Sequence, residues 1–274
     1  MKTPPAILGK IASRTVLRIA KVKETVSMKQ VMEPALALAE AERAAGKGEM
    51  PLVFERAVAA PGLSFICEVK KASPSKGVIA EDFPYLQIAK EYEEGGASAI
   101  SVLTEPDFFL GNDQHLKEIS CTVQIPTLRK DFIIDPYQLY EAKLLGAKAV
   151  LLICALLDPE TLSLFISIAG ELALDCLVEI HSDGEVLEAL QAGAGIIGIN
   201  NRDLTTFEVD TDLTPRLRKL IPSRILTVAE SGVKSPDDIR ALKDSGVDAV
   251  LIGESLMRST DRKQFLRELM TAAN

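Results

Sequence analysis

From residue 64 onward the chain repeats one unit: a short aliphatic run with β character, a turn of glycine or polar residues, then an amphipathic stretch with helical spacing. Eight such runs fall at 64–69, 99–103, 127–130, 147–153, 175–180, 196–199, 225–229 and 249–252, with helical patterns between them at 136–145, 159–172, 184–192, 235–245 and 261–272. Strands that are apolar along their whole length, each followed by a helix, predict a parallel sheet covered on its outer face. Eight units in a 274-residue chain predict closure into an α/β fold of the (β/α)8 TIM-barrel type, one domain spanning 1–274. An open doubly wound sheet is the competing arrangement. Against it, no G-x-G-x-x-G follows the first strand, and polar residues recur at many strand ends instead of gathering at one switch point. Residues 1–60 predict two helices, 7–22 and 28–45, an N-terminal helical extension too poor in apolar residues to hold a core of its own and therefore packed on the barrel.

A barrel carries its chemistry at the carboxyl ends of its strands. Those ends hold Glu68 and Lys70 on the first strand, Lys130 on the third, Glu179 on the fifth, Asn200 on the sixth, Glu230 and Ser231 on the seventh, and Gly253 on the eighth. Alternate residues of a strand share a face, so Glu68 and Lys70 are neighbours. Lys130, Glu179, Asn200 and Glu230 each share a face with Leu128, Leu177, Gly198 and Val228 two positions back. Glu68 with Lys70 alone fits an ordinary surface ion pair as well as a proton-transfer pair. Recurrence of acids and amines at successive strand tips favours convergence on one cavity mouth. Arg129 and Asp131 have the opposite parity and are assigned to supporting ion pairs at the barrel rim. His115 and His181 are assigned solvent-facing or capping roles. After the seventh and eighth strands, 229–233 and 251–256 each place a small residue immediately past the strand, the second running straight into a helical segment, the way barrels hold a phosphate; two tight turns using glycine only for geometry are the plainer alternative.

Composition excludes several function classes. Thirty-one basic against 39 acidic side chains leave a net charge of −8, which disfavours nucleic acid and anionic membranes as partners and points to a small-molecule substrate met by a local basic patch. Two histidines with no H-E-x-x-H or Walker sequence give no expectation of a metal or nucleotide cofactor. Cys67, Cys121, Cys154 and Cys176 lack C-x-x-C spacing and read as reduced core residues, which suits a cytoplasmic protein. The first 23 residues are basic without an acid, a bias shared with transit peptides, yet Ile7, Ile11, Leu17 and Ala20 form the stripe of a folded helix.

Taken together, residues 68–77, 101–106, 128–133, 199–204 and 229–232 resemble the signature of the indole-3-glycerol-phosphate synthase family, the ring-closing enzymes of tryptophan biosynthesis, and the resemblance extends over about residues 5–270. It implies a carboxy-lyase that converts a sugar phosphate, 1-(2-carboxyphenylamino)-1-deoxyribulose 5-phosphate, into indole-3-glycerol phosphate with loss of carbon dioxide and water, as a monomer without a cofactor. By this resemblance Lys130 is the general acid of ring closure, and Glu179, Glu68 and Lys70 serve the dehydration, with the acid and the base among them left open. Asn200 and Glu230 complete the catalytic set. The phosphate falls to Ser231, Gly232, Gly253 and Glu254 through backbone amides, with Ser73 and Lys70 approaching from the first loop; the Glu254 carboxylate would repel it, so that side chain is expected to turn away. Arg202, with Asn200 and Lys130, takes the benzoate carboxylate, and Phe109, Phe132, Leu151 and Leu204 form the slot for the ring. The segment 71–77, with Pro74 and Gly77, is expected to act as a lid. The sister isomerase of the same pathway would need a cysteine and aspartate pair, whereas Cys67 faces away from Glu68 and Lys70. A noncatalytic binding barrel would keep the phosphate turns without the acid–base set.

Overall fold

Each strand of the barrel forms where side chains are buried on both faces, and several of the helices begin where a short polar residue caps them. In the computed structural model, which describes residues 2, 6–46 and 52–273, the chain begins with α1 (Ala6–Thr25), α2 (Met28–Ala45) and α3 (Val53–Val58). The repeating units follow as β1 (Ser64–Val69), α4 (Tyr85–Gly95), β2 (Ala99–Leu103), α5 (Asp113–Thr122), β3 (Thr127–Lys130), α6 (Tyr137–Leu144), β4 (Ala149–Ile153) and α7 (Pro159–Glu171). The second half is β5 (Asp175–Ile180), α8 (Asp183–Ala192), β6 (Ile196–Asn200), α9 (Leu213–Arg218), β7 (Leu226–Glu230), α10 (Pro236–Asp244), β8 (Ala249–Ile252), α11 (Glu254–Arg258) and α12 (Arg262–Ala272). The eight strands are parallel and the sheet closes: β1 pairs with β2 through Ile66 and Ala99, and with β8 through Ser64 and Ala249. Asn112, Asp158, Ser182, Ser235 and Asp261 cap the helices that follow them through their side-chain oxygens.

The predicted strands are all present, and the helices of the extension run three residues further than 7–22 in the first case and coincide with 28–45 in the second. Three elements were not expected. Ala72–Ser73 and Gly77–Val78 pair antiparallel as a small hairpin above β1, α9 is a short helix after β6, and α3 lies against β1, β2 and β5. One cysteine assignment is corrected: Cys67 and Cys154 are buried and Cys176 partly so, but Cys121 is exposed. Leu116 and Ile119 already occupy the inward stripe of α5, and a residue two beyond Ile119 points away from it. No helix among the described residues is long and apolar enough to cross a membrane.

The extension is fastened at both ends of the barrel. Leu8, Ala12 and Ile19 of α1 are buried in the common core, and Arg18 reaches Asp131, just past β3, with a two-pronged pair at 2.9 and 3.1 Å. Glu42 of α2 accepts from Lys143 of α6 at 2.6 Å and from Lys148 at 2.8 Å. At the opposite, amino-terminal end, Phe54 and Val58 of α3 are fully buried, and the Asp175 carboxylate at the start of β5 accepts the Phe54 and Glu55 backbone N–H groups, both at 3.0 Å.

Asp175→Ala leaves two helix-end amides without an acceptor and should cost about 1–2 kcal/mol of unfolding free energy, read from urea denaturation, while turnover persists because the catalytic rim lies at the other end. Burial pushes the Asp175 carboxyl up from 3.8 to about 6 despite the two amide hydrogen bonds. The folded chain therefore keeps a proton that the unfolded chain has released, so this stabilising contribution is complete below 3.8 and lost as pH rises through about 6. Asp175→Asn, uncharged and still an acceptor, should lose less stability and flatten that pH dependence. Equal slopes for the two proteins would contradict it.

Candidate active site

The odd-numbered strands build the site. Glu68 comes from β1, Lys130 from β3, Glu179 from β5 and Glu230 from β7, which places them in one layer of the barrel interior, since alternate strands contribute to the same layer. Lys130 Nζ donates to Glu230 Oε2 at 2.8 Å and to Glu179 Oε2 at 3.0 Å. Glu68 is paired with Lys70, the residue just past the end of β1. The even strands make room. A Cβ on Gly198 of β6 would lie 2.1 Å from Glu230 Oε1, and one on Gly253, after β8, would lie 2.2 Å from Glu68 Oε1 and 3.0 Å from Lys70 Nζ.

Electrostatics follow from burial and from the shortage of amines. Lys130 is only 12% exposed; burial alone would pull its pKa down, but Glu179, Glu230 and Glu68 outweigh that and raise it, so the amine is a firmly held ammonium. Burial would likewise lift Glu179, yet the Lys130 ammonium and His181 hold it below the usual carboxylate range. Glu230 goes the other way. Its burial, aided by the neighbouring Glu179 charge, overcomes the pull of Lys130 and lifts it to about 7, and its Oε1 has no hydrogen-bond partner. Two carboxylates sharing one ammonium in a closed space thus separate into one that ionises readily and one that keeps its proton.

Around this layer lies a cavity of about 680 Å³. Every site residue named from the sequence borders it: Glu68, Lys70, Lys130, Glu179, Asn200 and Glu230 below, Ser73, Arg202, Ser231, Gly232, Gly253 and Glu254 at the rim, and Phe109, Phe132, Leu151 and Leu204 along the apolar wall. The Phe109 and Phe132 rings are 5.9 Å apart. Phe109 is held by its backbone, its N–H donating to buried Glu105 at 3.0 Å and its carbonyl accepting from Ala72 of the hairpin at 3.2 Å. Asn200 Oδ1 accepts from the Arg202 N–H at 3.0 Å and from Ser231 Oγ at 2.9 Å. Ser231 and Gly232 both have left-handed backbones, φ +66° and +104°, so the chain turns sharply off β7 where strain in a serine marks a functional turn. Glu254 borders the cavity with its carboxylate 3.3 Å from Arg258 Nε and 3.7 Å from Arg202 Nη2.

Several contributors escaped the sequence reading. Ile7, Leu8 and Ile11 of α1 wall the cavity; the stripe expected from Ile7, Ile11, Leu17 and Ala20 is corrected, since the helix buries Leu8, Ile11, Ala12 and Ile19 and leaves Leu17 and Ala20 exposed. Ser255, whose hydroxyl is buried and unpartnered, borders the cavity beside Gly253. The roles given to the histidines are corrected. His115 is half-buried against Tyr85, its ring 4.3 Å away, outside the cavity. His181 is neither solvent-facing nor a cap: its side chain is 16% exposed and lies between Glu179 and Glu185. The signal was parity, since His181 is two residues beyond Glu179. Arg129 and Asp131 form the buried pair at the rim, joined by Arg18, Asp113 and Glu141.

A (β/α)8 barrel with an ammonium clamped between carboxylates at the mouth of a mixed polar and apolar cavity is a barrel enzyme of the acid–base class. The profile of the indole-3-glycerol phosphate synthase family matches residues 9–269. Relatives of that name are 55% identical in Ruminiclostridium cellulolyticum (97% of this chain, 100% of the relative), 51% in Endomicrobium trichonymphae (96% and 99%) and 48% in Lachnoclostridium phytofermentans (96% and 98%). The chain belongs to the indole-3-glycerol phosphate synthase family, whose carboxy-lyase activity in tryptophan biosynthesis is its function. Among solved structures, a thiamine phosphate pyrophosphorylase from Pyrococcus furiosus matches with a TM-score of 0.59 at 19% identity, over 80% of this chain and 96% of that one, a likeness of fold alone.

The raised Glu230 carboxyl has a measurable consequence. Between 4.5 and about 7 the folded chain holds a proton there that the unfolded chain has lost, so its contribution to stability is complete below 4.5 and disappears as pH rises through about 7. Glu230→Gln, neutral at every pH, should flatten the fall in unfolding free energy between pH 5 and pH 8, and carboxyl carbon NMR should lose one titration with a midpoint near 7. An unchanged set of carboxyl titrations would contradict this.

Proposed function

We propose that the cavity closes the indole ring of 1-(2-carboxyphenylamino)-1-deoxyribulose 5-phosphate by general acid–base chemistry carried on Lys130, Glu179, Glu68, Lys70, Asn200 and Glu230. The observation that carries this is Lys130 Nζ at 2.8 and 3.0 Å from Glu230 and Glu179 at the base of a cavity with one apolar wall. The aromatic carbon bearing the carboxylate attacks the ketone carbon while Lys130 protonates the ketone oxygen. Carbon dioxide then leaves and its bonding pair returns to the ring. Water departs when the new hydroxyl is protonated and a proton is taken from the ring closure product. Lys130 is charged and so able to donate, but two carboxylates hold its protons tightly; the ready protonation of Glu230 removes part of that hold. Glu179 and the Glu68–Lys70 pair serve the dehydration.

Binding divides by chemistry. Phe109, Phe132, Leu151 and Leu204 receive the aromatic ring, and Arg202 with Asn200 receives its carboxylate. The phosphate lies over Ser231, Gly232 and Gly253 with Ser73 and Lys70 opposite, and the unpartnered Ser255 hydroxyl adds a donor. Glu254 contributes its backbone, since its carboxylate is occupied by Arg258 and Arg202. The N-terminal helices α1, α2 and α3 belong to the same single domain as the barrel, because Ile7, Leu8 and Ile11 complete the cavity wall. The partner is this small sugar phosphate and neither nucleic acid nor membrane, in keeping with the net charge of −8, and the enzyme acts as a cytoplasmic monomer.

Purified protein supplied with the carboxyphenylamino sugar phosphate in the presence of a chelator should develop indole fluorescence. Lys130→Ala should lower kcat by about 10²–10⁴-fold while substrate still binds, read by titration calorimetry. Normal turnover by that variant would remove Lys130 from the general-acid role.

A further inference from the structure

His181 has no part in the scheme above, yet its imidazole lies against the Glu179 carboxylate. Its Nε2 is 3.6 Å from Glu179 Oε1 and its Nδ1 is 3.7 Å from Glu185 Oε2, and neither ring nitrogen has a hydrogen-bond partner although both are buried. Those separations are slightly too long for hydrogen bonds and need only a small closing movement to become so. A buried donor left unpaired is costly, so the ring is expected to settle on its two carboxylates. The outer side is built to hold it. Ser182 caps α8, and Glu185 in the first turn reaches back to accept the His181 backbone N–H at 2.6 Å. On the inner side Glu179 Oε2 is taken by Lys130 and Asn200 also bonds the carboxylate, while Oε1 is the oxygen that faces the imidazole.

We propose that His181 is a positioning residue for ring closure and dehydration: anchored by Glu185, its imidazole grips Glu179 Oε1 while Lys130 grips Oε2, which fixes the orientation and the charge of the Glu179 carboxylate. The inference rests on Glu179 having the acid–base role given above. His181 does not border the cavity, so it acts through Glu179 and not on the substrate. The groups facing the ring are Glu179 from β5, Glu185 from α8, Glu230 from β7 and Asp203 from the loop after β6, with the Lys130 ammonium beyond Glu179. Burial pulls the imidazole down, but the Glu185, Glu179 and Glu230 carboxylates outweigh it and raise it, which favours the charged ring beside Glu179. A cation at this distance keeps a carboxylate ionised to lower pH.

The test is a pH series of kcat and KM for the full-length enzyme and for His181→Gln, Glu185→Gln and Glu179→Gln. His181→Gln should move the limb of the kcat profile set by Glu179 to higher pH by about one unit and lower kcat at neutral pH about tenfold, with KM within about twofold because the cavity wall is untouched. Glu185→Gln keeps the ring but loosens its anchor, so it should shift the same limb the same way by less and lower the imidazole midpoint seen by proton NMR. An unmoved limb in His181→Gln, or a raised KM with kcat intact, overturns the proposal, as does a loss of thermal stability with no change in the profile. Should His181→Gln fail to fold, Glu185→Gln decides: no shift overturns the proposal. Glu179→Gln separates the two levels, since full turnover there removes the Glu179 role and the inference with it, whereas a dead Glu179→Gln beside a silent His181→Gln removes the inference alone.

Discussion

Everything at the catalytic end depends on holding one ammonium, Lys130, between two carboxylates inside a closed sheet. Removing three charged groups from water costs several kcal/mol for each, and mutual attraction recovers this only when geometry is tight and nothing else crowds the site. Closure of the barrel supplies the geometry. Because β3, β5 and β7 contribute to the same layer, Lys130, Glu179 and Glu230 meet without any long loop having to place them. Room comes from the strands in between: Gly198, opposite Glu179 in register, leaves the volume that the Glu230 carboxylate fills.

The layer is richer in carboxylates than in amines, and this imbalance does the tuning. Glu68 has Lys70 to itself, whereas Glu179 and Glu230 compete for Lys130. One of the competitors must yield, and Glu230 yields by keeping its proton to about 7, because Glu179 has His181 and Asn200 besides Lys130 to hold its charge, whereas Glu230 has the Glu179 charge beside it and an oxygen without a partner. A neutral Glu230 leaves Lys130 facing one full negative charge instead of two. A lysine surrounded by too many anions would be charged but unwilling to give up a proton; one surrounded by too few would be neutral and unable to. The site lies between those limits because a carboxyl with a near-neutral midpoint adjusts the count.

What the sequence revealed and what it hid divide along the same line. Strand parity is local, so Lys130, Glu179, Asn200 and Glu230 could be assigned to the inner face from their neighbours alone, and the barrel followed from the repeat of the unit. Whatever depended on how distant segments meet was hidden. Ile7 and Ile11 belong to an ordinary helical pattern, and nothing in it says that this part of α1, with Leu8, looks into a cavity and not onto a helix. Helix α3 is only six residues long, too short to show a period, and is fixed by Asp175 from more than a hundred residues away. Gly198 reads as a weak point in a strand until Glu230 is seen to need its missing side chain. Cys121 looked apolar enough for the core, but the helix had already spent its inward face on Leu116 and Ile119.

The N-terminal helices are tied to this same arrangement. Asp131 follows Lys130 directly and is fully buried; burial would raise its carboxyl, but Arg18 and Arg129 hold it below the usual range, with Thr104 donating a further bond at 2.9 Å. Arg18 belongs to α1, the helix that also gives Ile7, Leu8 and Ile11 to the cavity wall, and Lys23 at its far end reaches Asp135 at 2.6 Å. One helix therefore pins the backbone beside the central ammonium and closes one side of the cavity, while the hairpin at 72–78, tied by Ala72 to the Phe109 carbonyl, borders another. A barrel alone leaves its mouth open to water, which weakens every charge interaction inside it. The extension answers that weakness by covering the mouth with apolar side chains carried on a helix whose position is set by the residue next to Lys130, so the cover and the charge cluster are aligned by one contact.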